Sequence, residues 1–83
     1  MVGSPPLTPD DVLSVICTEL EVDEVASDAA MGTVRSWDSF GQITLVLAIE
    51  EAAGIKLPSD AFGRMTSVQA IMDVLREEEV LAG

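Results

Sequence analysis

The stretch from Ser39 to Ala53 constrains the fold most, because read as a helix it carries more apolar surface than one face can hold. Leu45, Ile49 and Ala53, with Val46 beside them, recur at helical spacing and form one stripe. Phe40, Ile43 and Leu47 form a second stripe, rotated away from the first. A small bundle buries one stripe per helix, so part of the second is expected at the surface, where an apolar patch serves as a contact area. The alternative is that the long preceding loop covers it. The longest apolar run, Leu45 to Ile49, is far too short to cross a membrane.

The remaining segments read as partners for this helix. Residues 1–7 are rich in Gly, Ser and Pro and are expected to be a flexible tail, with residues 8–83 a single domain that ends at Gly83. A first helix from Pro9 to Leu20 is predicted by Thr8 as cap, Pro9 at the first helical position and Asp10 and Asp11 at the positive end of the dipole. Val12, Leu13, Ile16 and Leu20 give it an apolar face. Residues 21–37 form a long connection, which Val22, Val25, Met31, Val34 and Trp37 are placed to pin to the core. Gly54 stops the second helix, and Ile55-Lys56-Leu57-Pro58 is an extended return. A short helical turn is predicted over Ser59 to Gly63. A last helix to about Glu79 follows, with Thr66 capping, Gln69 reaching back, and Val68, Ile71, Met72 and Leu75 turned inward. The fold class is all-α: three main helices plus one short turn, with no strand alternation.

Composition narrows the function. With 83 residues the chain makes one small domain, with little wall to enclose a substrate. Fifteen acidic against four basic residues and no histidine give a formal charge of −11, which repels nucleic acid and anionic membranes and attracts basic protein surfaces. The same acids also keep a small apolar bundle soluble. Cys17 is the single cysteine, so no internal disulfide is available, and its neighbours Ile16 and Leu20 suggest a buried packing role. Met1 opens no secretion signal, which points to the cytoplasm.

Ser39 stands at the head of the two-striped helix, directly after Asp38. A hydroxyl there is accessible and close to free backbone N–H groups at the positive helix end, where an attached phosphate is favoured. A plain capping role for Ser39 or Asp38 accounts for the same residues. There is no Gly-x-Ser-x-Gly elbow, partner histidine, metal-ligand cluster or EF-hand pattern, so Ser39 is a poor candidate nucleophile and no catalytic or metal residue is assigned.

Asp38-Ser39-Phe40, followed by Gly41-Gln42-Ile43-Thr44-Leu45-Val46-Leu47-Ala48-Ile49-Glu50-Glu51, resembles the phosphopantetheine attachment region of acyl and peptidyl carrier proteins. Gly54 to Pro58 is similar to that family's return segment, and Met65 to Ile71 to the start of its last helix. The resemblance spans most of residues 9–79. It implies a stand-alone carrier, not an enzyme, with a 4'-phosphopantetheine arm on Ser39 holding acyl cargo as a thioester. It implies that Asp38 helps hold a phosphopantetheinyl transferase and the Mg²⁺ in that enzyme's site. Phe40, Ile43, Leu47, Glu50 and Glu51 would face partners: a loading ligase or transferase and downstream biosynthetic enzymes. No nucleic acid or membrane partner is implied, and a monomer is expected.

Two departures bear on the pathway. Phe40 replaces the usual leucine, and Thr44 stands where fatty-acid carriers typically have glutamate. Trp37-Asp38-Ser39 is more similar to stand-alone carriers loaded by adenylating ligases, including D-alanyl carriers and those of polyketide or nonribosomal peptide pathways, with aminoacyl or short hydroxyacyl cargo. Trp37 also serves as a plain anchor for the loop. A housekeeping fatty-acid carrier is the alternative within the class. An acidic helical adaptor without a prosthetic group is the alternative outside it, and a nucleic-acid mimic is disfavoured because the acids form no regular array. The uncompensated acids predict a melting temperature that rises between about 0.01 M and about 0.15 M NaCl; a thermal melt at the two salt concentrations checks this.

Overall fold

The computed structural model describes residues 6–82 as four helices and, among those residues, no extended strand. They are α1 (Pro9–Leu20), α2 (Ser39–Ala53), α3 (Ala61–Arg64) and α4 (Val68–Glu77). The bounds of α1 and α2 agree with the sequence reading, and local signals mark the start of each and the end of α2. At α1 the Thr8 hydroxyl accepts from the Asp11 N–H, and the Asp11 carboxylate accepts from the Thr8 N–H. At the far end of α2, Gly54 takes a left-handed conformation that returns its N–H to the carbonyls of Glu50 and Glu51.

α1 packs along α2 over their apolar faces, and α3 bridges α2 and α4. Val12, Ile16 and Leu20 from α1 meet Leu45, Val46, Ile49 and Ala53 from α2, all buried. From α4 come Val68, Ile71, Met72, Val74 and Leu75. Such a core is the main source of stability in a domain this small, since a fully buried aliphatic side chain contributes roughly 1.5–3 kcal/mol.

Several contacts fasten the long connection. Trp37 is fully buried at its end. Ala29, which carried no signal in the sequence, is also buried, and its carbonyl accepts from the Val68 N–H. The Met31 N–H donates to the Thr66 carbonyl at 2.7 Å. Val22, Val25 and Val34 pack from the half-buried rim, whereas Met31 is exposed.

This pairing moves the start of the last helix. Ser67 is extended and bridged to Ala30 of the loop, and it caps α4 in place of Thr66, accepting from the Ala70 N–H at 3.0 Å, while Gln69 is exposed. The helix also closes before Glu79, which takes a positive φ of 61° while the Val80 N–H returns to the Leu75 carbonyl. The short turn lies one to two residues later than expected, at Ala61–Arg64. Arg64 forks onto both oxygens of Glu77 and so links that turn to α4. Cys17 is half-buried rather than buried, because it sits one step around α1 from the Val12–Ile16–Leu20 stripe.

A further correction concerns residues 1–7, read as a flexible tail. Residues 1–5 lie outside the described residues, but Leu7 is buried. Its N–H donates to the Val80 carbonyl and its carbonyl accepts from the Ala82 N–H, a single parallel bridge that brings Val80 and Leu81 over the core. Leu7→Ala is expected to destabilise the domain by about 2–4 kcal/mol, measured by urea unfolding; a free tail residue would leave the midpoint unchanged.

Candidate functional site

The head of α2 is built from the loop that leads into it. The Ser36 hydroxyl donates to the Leu20 carbonyl at 2.6 Å, tying this point to the end of α1. The Trp37 N–H donates to the Val34 carbonyl, and the Trp37 carbonyl accepts from the N–H of Gly32, whose φ of 94° suits glycine. Asp38 is the N-cap: its Oδ1 accepts from the Gly41 N–H at 2.8 Å. Ser39 is therefore the first residue inside the helix, not the cap. It is exposed, and its hydroxyl makes no hydrogen bond among the described residues.

Gly41 has a steric reason for being glycine. A Cβ there would run into the Ser36 carbonyl oxygen, a backbone atom whose residue is held by its own bond to Leu20. The loop can lie this close to the first helical turn only because Gly41 has no side chain.

Phe40, Ile43 and Leu47 are 75%, 47% and 51% exposed and form an apolar ridge along the outer face of α2. The loop does not cover it. A groove of ≈ 550 Å³ runs beside its upper end, lined by Glu19, Glu21, Asp38, Phe40 and Thr44 among others, so acids from the end of α1 flank the ridge. Glu51 is exposed at the lower end. Glu50 is half-buried, and its Oε2 accepts from the Leu57 N–H at 2.7 Å, bracing the return segment. A second open groove, of ≈ 640 Å³, adjoins Ser39 on the other side and is lined by Met31, Arg35, Trp37, Thr66 and Ser67 among others.

Two residues at this site were not singled out from sequence, Gly41 and Gln42. Gln42 lies three residues before Leu45 and four before Val46, on the buried stripe, which was the available signal. Among the described residues no cluster of ligating side chains could hold a metal ion, and no helix is long and apolar enough to cross a membrane.

An acyl carrier protein of Guillardia theta is 32% identical over 71 residues, covering 83% of this chain and 88% of that one. The chain belongs to the acyl carrier protein family. An acyl carrier protein of Thermosynechococcus vestitus is 24% identical over 71 residues, covering 83% and 88%. One from Streptomyces coelicolor is 31% identical over 67 residues, covering 81% and 73%. No protein-family model and no solved structure matches the chain. Acyl carrier proteins are carriers and not enzymes, and the small helical bundle is consistent with that family.

In an ordinary helix Gly→Ala stabilises by about 1 kcal/mol. At Gly41 the sign should reverse: Gly41→Ala is expected to destabilise by at least about 1 kcal/mol through overpacking, read from chemical unfolding beside Gly63→Ala, whose Cβ would meet open space.

Proposed function

We propose that the protein carries acyl groups as thioesters on a 4'-phosphopantetheine arm attached to Ser39, and delivers them between biosynthetic enzymes. The observation that supports this most is the placing of Ser39: a free, exposed hydroxyl at the first position of α2, on a rigid mount and at one end of an exposed apolar ridge. The arm would bring a terminal thiol to which cargo is joined. The chain's own part is to present it. The N-terminal turn of α2 suits a phosphate on Ser39, because backbone N–H groups and the helix dipole both favour negative charge there.

Asp38 has two tasks in this reading. Oδ1 caps the helix, while Oδ2 makes no hydrogen bond among the described residues and is free for the phosphopantetheinyl transferase and its Mg²⁺. Phe40, Ile43 and Leu47 supply the apolar contact for partners. Glu51, with Glu19 and Glu21 on the flank, steers a basic rim onto them. Glu50 contributes less to this surface, since one of its oxygens holds the Leu57 N–H.

The outer face of α2 is thus mainly apolar, with Thr44 rather than an acid between Phe40 and Leu47. That favours specialised biosynthesis of polyketide or nonribosomal type, with aminoacyl or short hydroxyacyl cargo supplied by a loading ligase or transferase, over housekeeping fatty-acid synthesis. In this reading the chain from Leu7 onward is one carrier domain, a cytoplasmic monomer. The exposed ridge would equally serve an acidic adaptor without an arm.

Intact mass after incubation with coenzyme A, Mg²⁺ and a promiscuous transferase separates the two. A gain of one phosphopantetheine, absent from Ser39→Ala, is the expected result. No gain on folded protein across a panel of transferases would leave the adaptor.

A further inference from the structure

Gln42 is the one buried polar side chain among the described residues, 4% exposed, and lies one turn into α2 from Ser39. A primary amide in such a place destabilises a fold unless its groups are paired. Here both amide protons are used: Nε2 donates to the Met65 carbonyl at 2.8 Å and to the Phe62 carbonyl at 3.0 Å. Its Oε1 accepts from the Trp37 indole Nε1 at 2.6 Å. One side chain thereby joins the end of the loop, the first turns of α2 and the α3 segment. No buried side-chain nitrogen or oxygen among the described residues is left without a partner.

These bonds stand at the Ser39 end of the seam between α2 and α3. A chain that left Ser39 and entered the interior along this seam would have to part Gln42 from Phe62 and Met65. It would leave buried donors and acceptors unpaired, which apolar cargo cannot satisfy. Behind the joint, Trp37, Leu45, Ile49, Met65, Ile71 and Leu75 are packed with at most 1% of their surface exposed. The two grooves adjoining the head of α2 are open and include none of Leu45, Ile49, Ile71 and Leu75 in their walls.

We propose that Gln42 latches the seam between α2 and α3, so that cargo attached through Ser39 stays outside the helical core. Such a carrier suits short or polar acyl groups, whose exposure to water costs little, and not long alkyl chains. Gln42 is a positioning residue, acting through Trp37 and α3. The inference rests on the reading of Ser39 as the attachment site, and gives the short cargo proposed there a structural cause in Gln42.

The test loads the whole protein with acetyl, hexanoyl and decanoyl phosphopantetheine from the corresponding coenzyme A thioesters. Melting temperature and proton contacts between the acyl chain and core methyl groups are then recorded. The expected melting temperatures agree within about 3 °C, because unburied methylenes add nothing to stability. A larger rise with chain length, or contacts to Leu45, Ile49 or Leu75 methyls, overturns the inference while leaving the carrier reading intact. Gln42→Leu removes all three bonds with an apolar side chain of comparable bulk. In that variant, if it folds, melting temperature is expected to rise with chain length, and a folded variant without that rise overturns the role of Gln42. Hydrogen exchange of the Trp37 indole N–H in the unmodified protein checks the latch without any loading. Slow exchange, as for core amides, is expected, and exchange at the rate of free indole overturns it. Failure of Ser39 to accept any arm instead removes the carrier reading itself, and this inference with it.

Discussion

The burial of Trp37 is the constraint on which the rest of the structure depends. Its ring is wholly out of solvent where the long connection turns into α2. An indole in that position needs a partner for its N–H, and Gln42 supplies one. Gln42 in turn holds the carbonyls of α3, a helix too short to persist without such support. Ser36, the residue before Trp37, bonds back to the end of α1. Anchoring one aromatic side chain thereby sets the positions of α1, α2 and α3 relative to one another.

The placement of Ser39 follows from that anchoring. With Trp37 turned inward, Asp38 caps the helix and Ser39 is the first residue to face water on it. The approach of the Ser36 carbonyl to Gly41 leaves the first turn little room to shift. A reactive group mounted there would swing from a fixed base, so its reach would be set by its own length and not by motion of the protein. The same helix buries Leu45, Val46 and Ile49 on one side and exposes Phe40, Ile43 and Leu47 on the other. Ser39 and the exposed ridge therefore belong to one helix.

Much of this was legible in the sequence, for local reasons. Thr8-Pro9 with two aspartates, and Asp38 with Gly54, are capping signals read within a few residues, and they give α1 and α2 with their observed bounds. The exposed ridge followed from counting stripes on one helix. What escaped depends on residues far apart in the chain. Leu7 looked like tail because its partners are Val80 and Ala82. Thr66 looked like the cap because nothing nearby reveals that Met31 claims its carbonyl. Glu50 read as a free surface acid, yet its carboxylate is held by the return segment it precedes. Gln42 and Gly41 were not singled out, although a polar residue on a buried stripe always raises the question of its partners.

The bridge between Leu7 and Leu81 is parallel, so the chain enters on one side of it and departs on the other. Tension applied to the two ends would load its two backbone bonds in shear, together rather than in sequence. The domain thus has a small clasp where Leu7 meets Leu81, and a pull on the two sides of it would load that clasp before it reached the head of α2.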